Sequence, residues 1–333
     1  MILRTLKSNG PLNYILFLII GILFWFVSLR FPFSYNYFEG ENKSILFTLF
    51  DKITDGYPFI QVLLSLVLML LTAFLIQQIN SRYSLVKART KLPIAVYIII
   101  VGGITSMHTL HPVYFAAIFT LIGIHSLFSI FNNPNPQLDL FNAGLFLAIG
   151  TLFYFNLIVV LPAFLISISS LRRERNLSEY VILVIGFIIP LLFALTFVFF
   201  TDQLNDAFLS LKNNILTPVN HFKANYPLQG FIGILVILTI IASVKMMQQY
   251  DSRKVSIRKY YLVLLIIFLF TTFSFVFLPA TSQEMLVIGV ISLTFLITNL
   301  FTSIESGFWR ELLFALLLGS AIFMQFADKL IPQ

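Results

Sequence analysis

Four carboxylates stand close together between the first two hydrophobic runs of the chain. Glu39, Glu41, Asp51 and Asp55 fall within 17 residues, although the 333-residue protein has only 14 acidic residues. Carboxylates act as general bases in group transfer, and they also bind metal ions. We therefore take Glu39 and Glu41 as candidate catalytic residues, which would deprotonate an acceptor or orient a metal.

Two further segments carry side chains suited to an anionic group. The turn "SMHTLHPVYF" contains His108 and His111, and "PVNHFKANYP" contains Lys223. Imidazole and ammonium groups donate hydrogen bonds to phosphate, so these three residues are candidates for binding a lipid phosphate. The alternative is that the loops are polar only because they are exposed. No metal site is predicted, because the two histidines lack a third ligand nearby.

The composition places these residues in a membrane protein. Hydrophobic residues make up 59% of the chain, charged residues make up 11%, and there is no Cys. A soluble domain of this length could not bury so much apolar surface. The absence of Cys excludes disulfides and Cys nucleophiles. The sequence pI of about 9.5 reflects the orientation of membrane loops rather than nucleic acid binding.

Apolar runs near 20 residues recur along the chain and predict an all-α polytopic bundle with about eleven spans. Residues 1–333 form a single membrane domain in this interpretation. Residues 138–171 are predicted as two short helices or a re-entrant pair. The predicted spans are 11–29, 58–76, 92–107, 112–131, 138–155, 157–171, 179–200, 230–247, 260–278, 285–300 and 311–326.

The charges of the loops predict the orientation. If the N-terminus is cytoplasmic and every span crosses, 15 of the 21 Lys and Arg residues lie on one side. Positively charged loops stay in the cytoplasm. We therefore expect a bacterial inner-membrane protein with a cytoplasmic N-terminus and a periplasmic C-terminus. Residues 30–57 and 201–229 then face outward.

Each of these two outward loops contains a predicted amphipathic helix that lies in the membrane interface. In "SILFTLFDKITD", Asp51 and Asp55 share a polar face, and the other face is apolar. In "DQLNDAFLSLKNNIL", one face is formed by Leu204, Phe208, Leu211 and Ile215.

Charged residues are absent from the centres of the predicted spans. Intramembrane charges usually mark ion or proton pathways, so their absence argues against an ion-coupled transporter. His125 is the one titratable residue well inside a predicted span. We expect it to form a hydrogen bond between helices rather than a proton relay.

The chain resembles a family of uncharacterised multi-pass inner-membrane proteins of Bacteroidota. The resemblance rests on "PLNY", "INSRYSLVKARTKLPIAVYII" and "FNAGLFLAIGTLFYFNLIVVLPAFLISISSLRRERNLSEYVILVIGFIIPLL", and it implies no activity. The architecture is more distantly similar to GT-C-type glycosyltransferases, which use polyprenyl-phosphate-linked sugars and carry a catalytic acid in the first extracytoplasmic loop. That resemblance implies the catalytic role for Glu39 or Glu41, although the paired-acid signature directly after the first helix is missing.

The expected function is therefore that of a GT-C-like enzyme acting on polyprenyl-phosphate-linked glycans at the outer face of the membrane. Its expected partners are membrane lipid, in the form of polyprenyl phosphate, and other proteins of a cell-envelope complex. A non-catalytic subunit that scaffolds such a complex is the alternative, and a facilitative transporter with a polar path near His125, Asn142 or Asn299 is the third interpretation.

Overall fold

The computed structural model describes residues 3, 6, 10, 12–37, 44–86, 90–172, 176–216, 225–278, 281 and 283–330. Within these residues the chain forms thirteen α-helices, two short 3₁₀ helices and no strand. The α-helices are α1 (Leu12–Arg30), α2 (Phe47–Thr54), α3 (Pro58–Tyr83), α4 (Leu92–Gly102), α5 (Val113–Ser129), α6 (Gln137–Phe153), α7 (Leu161–Leu171), α8 (Leu177–Phe200), α9 (Leu204–Leu216), α10 (Tyr226–Gln248), α11 (Val255–Phe277), α12 (Glu284–Ser303) and α13 (Gly307–Leu330). The 3₁₀ helices are Thr105–Met107 and Phe155–Val160.

Seven helices among the described residues are long and apolar enough to cross a membrane, namely α1, α3, α8 and α10 to α13. Four shorter apolar segments accompany them, namely α4, α5, α6 and the stretch Phe155–Leu171. In chain order these segments correspond to the eleven predicted runs. The protein is therefore a multi-pass membrane protein, and the prediction of an all-α helix bundle is confirmed.

Helices α4 and α12 form the centre of the bundle. Every residue of α4 is buried, and so is nearly all of α12. The two helices pack against each other, α4 also contacts α1 and α3, and α12 also contacts α5, α10 and α11. Less than a third of the apolar stretch is buried in each of the peripheral helices α8, α10 and α13, because lipid solvates Leu and Phe as well as a protein core does.

Residues 138–171 form a helical hairpin. At one end of the bundle, the Nη1 of Arg172, which follows α7, donates a hydrogen bond of 2.6 Å to the carbonyl of Asn133 just before α6. Arg172 also forms a 2.9 Å ion pair with Glu179 in α8. At the other end of α6, the ring of Tyr154 lies 5.8 Å from that of His111. Helices α6 and α7 therefore run in opposite directions between the two ends.

Two glycines allow α6 and α8 to approach closely. A Cβ atom added to Gly144 would lie 2.1 Å from the carbonyl oxygen of Leu183, and one added to Gly186 would lie 2.3 Å from the carbonyl oxygen of Phe141. Both distances are far below van der Waals contact, and the obstacle is backbone. Small residues at such crossings are typical of membrane helices, whose association depends on close packing.

The predicted span 92–107 is interrupted, which corrects the expected boundary. Helix α4 ends at Gly102, and the chain turns through the 3₁₀ helix Thr105–Met107 before α5 begins. A Cβ atom added to Gly103 would lie 2.5 Å from the ring of Phe231, and one added to Gly102 would lie 2.7 Å from the ring of Phe24. The two glycines therefore let α4 end against neighbouring aromatic rings, and the turn that carries His108 and His111 follows.

The two amphipathic helices predicted in loops 30–57 and 201–229 are present, and they lie at the same end of the bundle as His111. In α2, the ring of Phe50 packs 4.7 Å from that of Phe115 at the start of α5, while Ile53 is 73% exposed. Helix α9 contacts the 3₁₀ helix Phe155–Val160; it buries Asn214 and leaves Phe208 70% exposed. Exposed apolar faces at one end of a membrane bundle are typical of interfacial helices.

Candidate functional site

The structure describes two of the five residues chosen from the sequence. His108 and His111 are fully buried in the turn between α4 and α5. Glu39, Glu41 and Lys223 lie outside the described residues. The catalytic role of the two glutamates and the phosphate-binding role of His108, His111 and Lys223 stay predictions.

The side chain and the backbone of His108 contact α1, α3 and the end of α4. Its ring stacks on the indole of Trp25 in α1, with centroids 4.0 Å apart and planes at 22°. Nδ1 lies 3.2 Å from the hydroxyl of Ser28, and Nε2 lies 3.0 Å from the carbonyl oxygen of Gly102. The hydroxyl of Ser65 in α3 donates to the His108 carbonyl and accepts a hydrogen bond from the Trp25 indole. His108 therefore joins α1 and α3 to the turn after α4.

Burial lowers the pKa of His108, and the hydrogen bond with the Gly102 carbonyl opposes this shift only in part. The ring is accordingly neutral near pH 7. Both ring nitrogens already have partners, so this histidine positions the turn on which His111 stands.

His111 is the second histidine of the turn, and its ring is enclosed by three tyrosines. Its Nδ1 accepts a 3.1 Å hydrogen bond from the backbone N–H of Val113, in the first turn of α5. This bond places the proton of the neutral ring on Nε2. The ring centroid lies 4.6 Å from that of Tyr35, 5.8 Å from Tyr37 and 5.8 Å from Tyr154.

Glu284 and Tyr154 complete a buried polar group, which we call the His–Tyr–Glu cluster (His111, Tyr154 and Glu284). The Tyr154 hydroxyl donates a 3.1 Å hydrogen bond to Oε1 of Glu284, and Glu284 is only 1% exposed. Glu284 is the first residue of α12, where the helix dipole favours a negative charge. Burial lowers the pKa of His111, whereas the nearby charge of Glu284 raises it.

The cluster brings together the groups needed for proton transfer in a site closed to water. A carboxylate, a phenol and a neutral imidazole lie within one connected group, and general acid–base catalysis needs such groups within hydrogen-bonding reach of a substrate. In the described parts of the chain, no three His, Asp or Glu side chains are arranged as metal ligands.

An apolar cavity adjoins the cluster. It has a volume of about 200 Å³ and lies between α10, α11 and α12, with Leu235, Phe268 and Gly289 in its wall. Its lining includes Met285 and Leu286, which follow Glu284 directly along α12. It also includes Ile104, which precedes the turn of the two histidines. None of the three cluster residues lines the cavity itself, so the link between the two runs through these neighbours in the sequence.

The described residues that carry the cluster and the cavity belong to a region shared with other proteins. The chain belongs to DUF6427, a family of unknown function, which it matches over residues 43–332. No curated protein and no solved structure matches the chain. The His–Tyr–Glu cluster lies inside the region shared with DUF6427, whereas Glu39 and Glu41 precede it.

Sequence reasoning missed Tyr154 and did not select Glu284. Glu284 carries a recognisable signal, since it is a carboxylate at the first turn of a long apolar helix. Tyr154 carries none, because it belongs to an aromatic-rich run in which only the fold distinguishes one ring from another. These two residues of the DUF6427 chain are 130 positions apart.

Two of the three residues considered for a transport path, His125 and Asn299, have partners at the other end of the bundle. The Tyr83 hydroxyl of α3 lies 2.6 Å from Nδ1 of His125 in α5, so the predicted hydrogen bond between helices is confirmed. Asn299 is fully buried and accepts a hydrogen bond from Arg253. In this DUF6427 chain both side chains join elements of the bundle.

Proposed function

We propose that this DUF6427 protein is a bacterial inner-membrane enzyme of GT-C-like architecture that acts on a polyprenyl-phosphate-linked glycan at the outer face. The observation that carries the proposal is that the apolar cavity is lined by residues next to the His–Tyr–Glu cluster in the sequence, with Met285 following Glu284 and Ile104 preceding the turn of the two histidines. A substrate with an apolar chain and a polar reacting group needs this combination.

The cavity supplies the site for the lipid chain. Its wall is almost entirely apolar and is formed by three helices. One wall residue, Val236 on α10, is 50% exposed, so the cavity is bordered by the lipid-facing surface of the bundle. Burial of apolar chain atoms there contributes on the order of 0.8 kcal/mol per methylene. The polyprenyl chain enters sideways from the membrane in this proposal.

The polar group of the substrate then lies at the His–Tyr–Glu cluster. Glu284 and Tyr154 hold and move a proton, and the neutral His111 donates from Nε2 to a phosphate or sugar oxygen. Glu39 follows Tyr37 by two residues, so their Cα atoms are joined by at most about 7 Å of chain. The ring of Tyr37 lies 5.8 Å from that of His111. Glu39 or Glu41 acts as the base that activates the acceptor, and Lys223 binds the phosphate.

The orientation of the protein follows from its loop charges. The end that carries Arg172, Arg253 and Lys259 holds most of the positive loop residues and faces the cytoplasm. The His–Tyr–Glu cluster and the interfacial helices α2 and α9 lie at the opposite end, which faces the periplasm. This is the face at which lipid-linked glycans are used as donors.

A cavity-filling substitution tests the proposal. Val236→Trp fills the cavity from α10, and we expect the amount of co-purified polyprenyl phosphate to fall several-fold relative to the wild type. Ile237→Trp is the matched control, because Ile237 is also exposed on α10 (58%) but does not line the cavity. The measurement is lipid mass spectrometry after purification in a gentle detergent. Absence of polyprenyl phosphate from the wild type, or an equal loss in both variants, would overturn the proposal.

A scaffold subunit is the second candidate function, and one observation favours it. No atom of the described residues lies within 4 Å of a Cβ atom added to Gly230 or Gly233 on α10, and a cleft of about 310 Å³ separates this region from Ser320 on α13. Small residues on an open helix face allow another helix to approach. Co-purification of a stoichiometric membrane protein that is lost in Gly230→Leu would support this function over the enzymatic one.

A further inference from the structure

A second groove lies on the other half of α10, at the end of the bundle opposite the His–Tyr–Glu cluster. It has a volume of about 550 Å³ and runs between the last two turns of α10 and the connection from α12 to α13. It shares no lining residue with the cavity described above. Its occupant is therefore independent of the proposed enzymatic function.

The groove has one polar end that carries one charge of each sign. Lys245 and Gln248 contribute from α10, and Glu305 and Ser306 contribute from the connection. In the described parts of the chain, neither Lys245 nor Glu305 forms a hydrogen bond or an ion pair. A cation and an anion that line the same groove without pairing are complementary to a zwitterion. The cation suits a phosphate, and the carboxylate suits an ammonium group.

The rest of the groove is apolar and faces the lipid. Its wall on α10 is formed by Ile240, which is 58% exposed, Ile241, which is 37% exposed, and Val244, which is 50% exposed. A water-soluble phosphate compound has no apolar chain to bury against these side chains, whereas the acyl chain of a lipid packs along them. The apolar wall and the charged end of the groove are therefore complementary to the acyl chain and the headgroup of a phospholipid.

A buried arginine beside the polar end fixes the two walls of the groove. Arg253 is 6% exposed and donates a 2.8 Å hydrogen bond to Oε1 of Gln249 at the end of α10. The same Oε1 accepts a 3.0 Å hydrogen bond from Ser303 at the end of α12. Arg253 also donates to Asn299 of α12. This network holds Gln248 and the residues after Ser303 at a constant separation.

Arg253 also adds positive charge at this end. It has no carboxylate partner within the described residues. An uncompensated buried charge is costly, and a phosphate bound nearby at Lys245 reduces that cost.

We propose that this groove binds an aminophospholipid of the cytoplasmic leaflet. Lys245 and Ser306 contact the phosphate, Glu305 contacts the ammonium group, and an acyl chain lies along Ile240, Ile241 and Val244. Arg253 is a positioning residue that acts through Gln249 and Asn299.

Native mass spectrometry of the purified full-length protein tests the proposal. The protein is supplied with phosphatidylethanolamine or phosphatidylglycerol of identical acyl chains, and the apparent affinity for each is measured. We expect the wild type to prefer the ethanolamine lipid. Glu305→Gln should reduce this preference about two- to fivefold, the range for a partly exposed ion pair. Lys245→Gln should weaken the binding of both lipids by a similar factor.

Exposed charges in the neighbouring turn provide matched controls. Asp251→Asn and Lys254→Gln remove one charge of each sign close to the groove without changing its lining, and we expect no change in either affinity. The proposal would be overturned if the wild type preferred phosphatidylglycerol or bound neither lipid. It would also be overturned if Glu305→Gln left the preference unchanged, or if the controls had the same effect as the groove variants. Inorganic phosphate added in excess should not displace the lipid, because it cannot occupy the apolar wall.

Discussion

The hydroxyl of Tyr154 donates a 3.1 Å hydrogen bond to Glu284, and this bond connects the end of α6 to the start of α12. Both residues are buried, so the bond is shielded from water. A hydrogen bond to a charged group contributes about 1.5–3 kcal/mol, and a buried acceptor left without its donor costs a comparable amount. The bond is thus both a part of the candidate site and a link within the fold.

Removing this hydroxyl should destabilise the protein measurably. We expect Tyr154→Phe to lower the free energy of unfolding by about 1–3 kcal/mol, since the ring remains and only the donor is lost. Tyr226→Phe is the control, because Tyr226 is 72% exposed. Unfolding in a mild detergent, followed by tryptophan fluorescence, measures the difference. A double-mutant cycle with Glu284→Gln isolates the pair, and additive effects of the two substitutions would contradict the proposed coupling.

The two buried histidines predict a loss of stability in acid. Burial lowers the pKa of both His108 and His111 in the folded state, although the Gly102 carbonyl and Glu284, respectively, partly oppose it. The unfolded chain therefore takes up protons first as the pH falls below about 6.5, which lowers the free energy of unfolding by up to about 1.4 kcal/mol per pH unit for each histidine. Above that pH the contribution is constant.

Replacing one of these histidines separates their effect from that of the carboxylates. His111→Gln should reduce the slope of stability against pH between about 6.5 and 5 by roughly one proton, as measured by denaturant unfolding at several pH values. Glu284 is a charged group close to His111 that raises its pKa. The variant Glu284→Gln therefore tests how much Glu284 contributes to the pH dependence of stability. An unchanged slope in His111→Gln would show that His111 is not a buried neutral residue.

The crossing of α6 and α8 should not tolerate a methyl group. Gly144→Ala and Gly186→Ala each place a Cβ atom against a backbone carbonyl of the opposite helix, and we expect each to cost about 1–3 kcal/mol. Gly233→Ala is the matched control in another helix, because in the part of the chain that the structure describes no atom lies within 4 Å of its added Cβ. Thermal unfolding in detergent ranks the three variants. Equal melting temperatures for all three would mean that α6 and α8 do not cross at these glycines.

The orientation is testable because the chain has no Cys. In intact cells, an impermeant thiol reagent should label the variant Glu41→Cys and should leave Lys87→Cys unlabelled until the cells are opened. The physical reason is the positive charge of the loop around position 87, which keeps it in the cytoplasm. The reverse pattern would place the His–Tyr–Glu cluster at the cytoplasmic face and remove the basis of the proposed function.

The helices follow from the sequence because their signals are local. The eleven apolar runs correspond to helical segments of the bundle, and the amphipathic helices α2 and α9 are visible as periodic patterns in two loops. The early end of α4 at Gly102, in contrast, has no local signal in the sequence. Two glycines within an apolar run are compatible with a continuous helix, and only the rings of Phe24 and Phe231, from distant parts of the chain, explain the turn.

The candidate site was predictable only in part for the same reason. His108 and His111 are polar residues in a short turn, which suggests exposure, yet they are buried by Trp25 and by three tyrosines from other segments. The pairing of Tyr154 with Glu284 depends on the hairpin of α6 and α7, whose existence the sequence left open. Side-chain chemistry can be read from the sequence, but which groups meet depends on how the helices pack.

The shortness of α4 has one more consequence. Its 11 residues rise only about 16 Å, whereas the 26 residues of the adjacent α3 rise about 39 Å. Because α4 starts at the end of the bundle where α3 finishes, the turn that follows α4 lies level with Ser65, which is seven residues, or about 10 Å, along α3 from its start. A water-soluble molecule would have to pass between the helices to reach His111, whereas a molecule dissolved in the bilayer is already at the depth of this residue.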